Sequence, residues 1–213
     1  MAKINEIYYS IQGESTFAGL PCVFVRFTYC NLRCTYCDTA YAFYEGRDAS
    51  VDEILSEIKE YNCKLVEITG GEPLVQRDEC LELMRKLCHL DYQVMIETGG
   101  SLPINGIDPR VKIIMDLKCP SSGMMKKNLY ENIYFLKPID EVKFVIGTKE
   151  DYDWAKEIIK QYELDKRCTV LFSPVFGSIE PSEIVHWILE DSLPVRFQLQ
   201  MHKYIWNPEI RGV

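Results

Sequence analysis

Short apolar runs recur along the chain, separated by stretches in which apolar positions fall three and four residues apart. Cys22-Val23-Phe24-Val25-Arg26-Phe27 is rich in β-branched and aromatic residues and predicts a first strand. Between Val51 and Tyr61, Ile54, Leu55 and Ile58 share one helical face, and Ser50 with Glu53 forms a capping box ahead of it. Strands are predicted over Lys64 to Thr69, Gln93 to Glu97, Val111 to Asp116, Val142 to Ile146 and Thr169 to Phe172, with a last one near Val195 to Leu199. Helices are predicted over Asp78 to His89, Glu150 to Glu163 and near Ser182 to Glu190.

Strands alternating with helical patterns point to parallel βαβ units. A closed eight-fold barrel takes about 250 residues. This chain has 213 and shows no convincing helix over Leu102 to Arg110. The expectation is an α/β fold, an incomplete and open (β/α) barrel of about six parallel strands. An open doubly wound sheet is the competing arrangement. In either case ligands gather at the carboxyl ends of the strands, and the unusual residues fall there. Strand ends run into a cysteine loop, Gly70-Gly71-Glu72-Pro73, Glu97-Thr98-Gly99-Gly100, Asp116-Leu117-Lys118 and Ser173-Pro174-Val175.

Composition narrows the class. No repeat or linker divides residues 1–213, so a single domain is expected. A net charge of -8 gives no broad footprint for nucleic acid and disfavours an anionic membrane. No stretch approaches the roughly 18 apolar residues of a membrane helix, and Met1-Ala2-Lys3-Ile4-Asn5-Glu6 is too polar for a signal peptide. The 9 cysteines, an odd number, fit reduced thiols in the cytoplasm.

Cys30, Cys34 and Cys37 stand in the run Cys30-Asn31-Leu32-Arg33-Cys34-Thr35-Tyr36-Cys37-Asp38-Thr39, with no fourth cysteine nearby. Such thiolates can grip one soft metal centre. An iron–sulfur cube normally takes four, so a cube held by fewer keeps one iron open to a small molecule. Structural zinc and simple burial are the alternatives, although zinc usually takes four ligands in paired spacings. The remaining cysteines, Cys22, Cys63, Cys80, Cys88, Cys119 and Cys168, are scattered among apolar runs and read as core or surface thiols.

The C-x3-C-x2-C spacing, with Tyr36 before the last cysteine, resembles the signature of the radical S-adenosylmethionine enzymes. The resemblance implies a [4Fe–4S] cluster whose open iron binds S-adenosylmethionine and cleaves it to a 5′-deoxyadenosyl radical that takes a hydrogen atom from the substrate. Thr69-Gly70-Gly71-Glu72-Pro73 is similar to that family's cofactor-binding motif, since glycines let backbone approach a ligand closely. Without that context it reads as a turn.

Further features narrow the resemblance. Gln12-Gly13-Glu14 sets an amide and a carboxylate close together, or forms a polar turn. Arg26 shares a side of its strand with Cys22 and Phe24 and needs an anion there, either a substrate carboxylate or an internal Glu. Thr39 offers a hydroxyl that closes a turn or serves Mg²⁺, which prefers oxygen ligands and retains water. With the ending Gln200-Met201-His202-Lys203-Tyr204-Ile205-Trp206-Asn207-Pro208, these resemble the superfamily members that convert 6-carboxy-5,6,7,8-tetrahydropterin to 7-carboxy-7-deazaguanine with loss of ammonia, in queuosine biosynthesis.

That resemblance implies Thr39 for Mg²⁺, and Gln12, Gly13, Glu14, Arg26, Thr69 and the Val213 carboxylate for the pterin. It implies Gly71, Thr98, Asp116, Leu117, Lys118 and Ser173 for S-adenosylmethionine. Many members carry Ser-Pro-Lys where this chain has Asp116-Leu117-Lys118; a backbone contact survives the change and a serine hydroxyl contact does not. The C-terminal segment is expected to close the open side, with His202 either packing or touching substrate. A one-electron donor protein such as a flavodoxin and a homodimer complete the implied set. A glycyl-radical enzyme activase is the rival within the superfamily, and a non-catalytic zinc or iron–sulfur module the rival outside it.

Overall fold

The computed structural model describes residues 1–213 and contains one nine-stranded sheet in the order β3-β1-β2-β4-β5-β6-β7-β8-β9. The strands are β1 (Ala2–Ile11), β2 (Pro21–Phe27), β3 (Arg47–Ala49), β4 (Leu65–Gly70), β5 (Gln93–Thr98), β6 (Lys112–Asp116), β7 (Glu141–Ile146), β8 (Thr169–Pro174) and β9 (Arg196–Phe197). From β2 to β9 all neighbours are parallel, whereas β1 pairs antiparallel with β2 and β3. The edge strands β3 and β9 do not meet, so the sheet is open, as expected. Helices α1 (Val51–Lys59), α2 (Arg77–His89), α3 (Lys149–Tyr162) and α4 (Pro181–Asp191) follow β3, β4, β7 and β8, and α5 (His202–Ile205) follows β9. No helix joins β5 to β6, in keeping with the Leu102 to Arg110 reading. No helix is long and apolar enough to cross a membrane.

Local chemistry sets these boundaries. Ser50 and Glu53 form the expected reciprocal cap on α1, and Thr148 with Asp151 does the same for α3. The strand faces divide the labour. Val23, Val25, Phe27, Val66, Ile68, Val94, Ile96, Val142 and Phe144 join the main core against the helices. The other face is apolar only at its floor, where Cys22, Phe24, Leu65, Met95 and Ile114 cluster with Tyr8 and Phe17. Above that floor, registered neighbours carry Arg26 opposite Thr69 and Asp116 opposite Lys143. A polar layer is thereby lifted to the carboxyl ends of the parallel strands.

Two strands escape the sequence pattern, β1 and β3. Within β1 the register shifts between Ile4 and Glu6, a bulge that breaks the alternation of apolar positions. The consequence is functional. Antiparallel pairing sets Glu6 opposite Arg26 and Tyr8 opposite Phe24, their rings stacked at 4.9 Å. The loop after β1 then folds across the open concave face. Ser15 N–H donates to Gln198 Oε1 at 2.7 Å, and Thr16 Oγ1 donates to Glu141 Oε1, itself 2.8 Å from Lys112 Nζ.

Candidate functional site

A cavity of about 800 Å³ opens at the carboxyl ends of the strands. Cys30, Cys34 and Cys37 line one wall from the loop that follows β2. That loop is tied to the rest of the fold by groups other than its thiols: Thr35 N–H donates to Ser122 O at 3.1 Å, Thr35 Oγ1 donates to Ser121 O at 2.7 Å, and Leu32 is buried. Within the loop Leu32 N–H donates to Cys30 Sγ at 3.4 Å. Burial pushes all three thiols above the ordinary cysteine range, so a metal centre must displace their protons. No three His, Cys, Asp or Glu side chains converge as ligands for a single ion. A cube takes its thiolates at separate corners, so a loop presenting three spaced thiols suits a cluster better than mononuclear zinc.

Gly71 lies directly under this loop. A Cβ there would meet Tyr29 O and come within 2.9 Å of Cys30 Cβ. Its neighbour Glu72 is fully buried and points elsewhere: it accepts from Leu74 N–H at 3.0 Å, Thr98 Oγ1 at 2.9 Å and Gly99 N–H at 2.7 Å. Glu72 therefore clamps the ends of β4 and β5 together, while glycine supplies the close approach.

The same cavity is lined by a polar network. Arg26 Nε donates to Glu6 Oε1 at 2.7 Å and Nη2 to Tyr8 Oη at 2.9 Å, which leaves Nη1 without a protein acceptor. The internal Glu that sequence left open as a partner is therefore present, and part of the guanidinium fork remains available. Gln12 Nε2 donates to Glu67 Oε2, and Gln12 Oε1 accepts from Glu14 N–H at 3.1 Å. Lys143 Nζ sits 2.9 Å from Glu14 Oε2, contacts Glu97 Oε1 and lies 3.7 Å from Asp116 Oδ1. Lys118 Nζ holds the other Asp116 oxygen at 2.6 Å.

Position decides which carboxyl groups keep their protons. Burial and the nearby Glu97 push Glu67 well above the usual carboxylate range. For Glu14, burial opposes ionisation but the Lys143 ammonium outweighs it and holds the carboxyl low. Asp116 behaves likewise between Lys118 and Lys143. Because Glu67 has a folded pKa above its unfolded value of ~4.3, the folded state binds more protons across that interval, and stability falls as pH rises through it. Glu67→Gln is expected to remove that fall, raising the melting temperature at pH 8 by several degrees, on the order of 2–4 °C per kcal/mol at this chain length. Melts from pH 4 to 9 check this; parallel curves for variant and wild type would contradict a protonated Glu67.

The C-terminal segment lies across the remaining side. Met201 N–H donates to Gly13 O at 2.9 Å, Lys203 Nζ pairs with Asp38 Oδ2 at 2.5 Å, and Arg211 pairs with Glu45 at 3.2 Å. His202 packs on Gly13, and both His202 and Val213 line the cavity. Thr39 Oγ1 donates to Asp38 Oδ1 at 2.8 Å on the same rim, an all-oxygen pair of the kind magnesium accepts.

Most of the residues singled out from sequence thus line one cavity: Gln12, Gly13, Glu14, Arg26, Thr39, Thr69, Gly71, Thr98, Asp116, Lys118, Val213 and the three cysteines. Leu117 and Ser173 do not. Leu117 is buried in the main core, and Ser173 is buried beside Val145 in the β7–β8 pairing. Leu117 can offer a cofactor backbone atoms only. Missed from sequence were Glu6, Tyr8, Asp38, Tyr41, Glu67 and Lys143, all set by cross-strand register or by the fold of the rim; lone charges inside apolar strands were the available signal.

Comparison with known proteins agrees with this geometry. Residues 24–186 match the radical SAM superfamily. A 7-carboxy-7-deazaguanine synthase of Chlorobaculum tepidum is 47% identical over 99% of this chain and 97% of its own length. One from Koribacter versatilis is 44% identical over 99% and 100%. The crystal structure of QueE from Escherichia coli superposes with a TM-score of 0.77 over 94% of each chain at 22% identity, a likeness of fold. The chain belongs to the radical SAM superfamily and, within it, to the 7-carboxy-7-deazaguanine synthases.

Proposed function

We propose that the protein converts 6-carboxy-5,6,7,8-tetrahydropterin to 7-carboxy-7-deazaguanine with loss of ammonia, as a radical SAM carbon–nitrogen lyase in queuosine biosynthesis. The observation that carries this reading is one cavity lined both by the thiols of Cys30, Cys34 and Cys37 and by the polar groups of Arg26, Gln12, Glu14 and Glu67. Cys30, Cys34 and Cys37 would hold a [4Fe–4S] cluster, and when loaded with S-adenosylmethionine and an electron that site supplies a hydrogen-abstracting radical. Gly71, Thr98, Asp116 and Lys118, which line the same cavity, would contact the cofactor, together with the backbone of Leu117 and the segment after Ser173.

The rest of the chain binds, orients and shields. The free Nη1 of Arg26 suits the substrate carboxylate, since a planar fork binds a carboxylate with directed hydrogen bonds. An ionised Glu14 can accept from pterin N–H groups, while a protonated Glu67 can donate. Thr39 would hold Mg²⁺, with Asp38 as an oxygen neighbour. The C-terminal segment, ending in Val213, limits water access, which a radical reaction requires. This covered cavity also disfavours the activase reading, in which a protein backbone would have to enter.

Residues 1–213 are read as one domain, acting in the cytoplasm as a homodimer. A one-electron donor of the flavodoxin type fits the rim beside the cluster loop. There Arg33, Lys126 and Lys127 are exposed, on segments joined by the Thr35–Ser121 and Thr35–Ser122 bonds. They give an otherwise acidic chain a local basic face.

The test supplies the anaerobically reconstituted holoenzyme with 6-carboxytetrahydropterin, substoichiometric S-adenosylmethionine, Mg²⁺ and a strong reductant. Ammonia and the deazaguanine acid should form in excess of the cofactor, because the proposed cycle regenerates it. An intact cluster that yields 5′-deoxyadenosine but no deazaguanine would reject the substrate and leave the superfamily standing.

A further inference from the structure

One buried cation has no role in the reading above. Lys143 sits mid-strand on β7, between Asp116 of β6 and Leu171 of β8, with its side chain 5% exposed. Its flanking residues Val142 and Phe144 face the main core. The lysine projects the other way, into the cavity. Its ammonium meets carboxylates from different elements: Glu14 Oε2 at 2.9 Å on the loop after β1, Glu97 Oε1 on β5, and Asp116 Oδ1 at 3.7 Å. Two of its three N–H donors are taken up by Glu14 and Glu97, while Asp116 Oδ1 stays beyond hydrogen-bond reach as a nearby charge.

Glu14 is the partner with most need of such a contact. It lies on an irregular loop rather than on a strand, and both its oxygens are tied by side chains from elsewhere. Oε1 accepts from Gln200 Nε2 at 3.0 Å, and Oε2 accepts from Lys143 and, at 3.3 Å, from Gln198 Nε2. Of these donors only Lys143 stands on a strand paired on both sides. A reader group on a loop gains precision from a support mounted on rigid structure. Asp116 and Glu97 sit on paired strands and do not need one for placement.

We propose that Lys143 is a positioning residue: from the rigid sheet it fixes the Glu14 carboxylate in the orientation that meets the donor edge of the pterin, and so governs substrate affinity. The inference rests on Glu14 contacting the pterin, the substrate reading given above. The Glu14 carboxyl is held low against the opposing effect of burial by this ammonium, which fits the same role, because the pterin edge requires an acceptor.

A double-mutant cycle on the reconstituted holoenzyme tests it. KM and kcat for 6-carboxytetrahydropterin are measured for Lys143→Met, Glu14→Gln and the pair, with iron content and melting temperature alongside. Lys143→Met should raise KM by about 10–100-fold with a smaller change in kcat, and should change KM less than about 3-fold once Glu14 is already Gln. A third background, Glu97→Gln, relieves the same buried charge but leaves Glu14 in place. There Lys143→Met should recover melting temperature yet still raise KM. If Glu97→Gln suppresses the KM effect as fully as Glu14→Gln does, Lys143 only balances charge and the proposal is overturned. Equal effects with and without Glu14 overturn it too. An unchanged KM for Glu14→Gln alone instead brings down the underlying substrate reading. Should Lys143→Met fail to fold alone, the comparison is made between Glu97→Gln and Lys143→Met/Glu97→Gln, where the buried charge is relieved, and an equal KM in those two overturns the proposal.

Discussion

Cys34→Ala is expected to strip the protein of most of its iron and abolish 5′-deoxyadenosine formation, while the metal-free chain keeps its circular dichroism and melting temperature. The thiol is half-buried, and none of the loop's anchoring hydrogen bonds passes through it. Thr35 and Leu32 hold the segment, so loss of Sγ removes a ligand and not a structural support. By contrast Cys80 lies fully buried in the main core, and Cys80→Ala should lower stability, by about 1 kcal/mol for one buried group, without changing iron per chain. Iron and sulfide analysis of both reconstituted variants decides the matter. Full iron retention in Cys34→Ala, or zinc as the metal bound by wild type, would sink the cluster assignment.

Gly71 gives that result a geometric counterpart. Every cysteine is intact in Gly71→Ala, yet the added methyl would press on Tyr29 O and Cys30 Cβ, backbone and near-backbone atoms that cannot swing aside. Cluster content should fall although the ligand set is complete. Together the two variants separate the identity of the ligands from the shape of the loop that presents them.

These features differ in how openly the sequence displays them. The parallel strands are legible because each is apolar on the helix-covered face and ends in glycine or a polar turn, as β4 does at Gly70. The thiols are legible because their spacing is local. Lys143 is not, since a lysine inside Glu141-Val142-Lys143-Phe144-Val145-Ile146 reads as the solvent side of an amphipathic strand. Only the curl of the open sheet, and the loop after β1 folded over it, turn that side into a lined interior. Glu67 is hidden for the same reason. Glu6 and Tyr8 are hidden for another: the bulge after Ile4 disguises β1, and with it the pairing that sets both beside Arg26.

Arg26→Ala is expected to lower kcat/KM for 6-carboxytetrahydropterin by about 10²–10³-fold, on the order of 3–4 kcal/mol, with iron content and substrate-free cofactor cleavage close to wild type. The difficulty is that Arg26 has two claims on it. Its Nε binds Glu6 at 2.7 Å and its Nη2 binds Tyr8 at 2.9 Å, a pairing that would exist without any substrate. Removing the guanidinium strands a half-buried Glu6, although Tyr41 Oη still donates to it at 2.9 Å, so part of any defect is structural. Glu6→Gln resolves the ambiguity. It takes away the charge that the arginine would serve in a purely structural role, but leaves the fork and its free Nη1 in the cavity. A residue that binds substrate should then tolerate Glu6→Gln within about 10-fold while failing badly as Ala. Arg26→Lys should fall between, since an ammonium keeps the charge and loses the planar fork. Equal damage from Glu6→Gln and Arg26→Ala, matched by equal losses in melting temperature, would return Arg26 to the role of an internal ion-pair partner and leave the substrate carboxylate to another group.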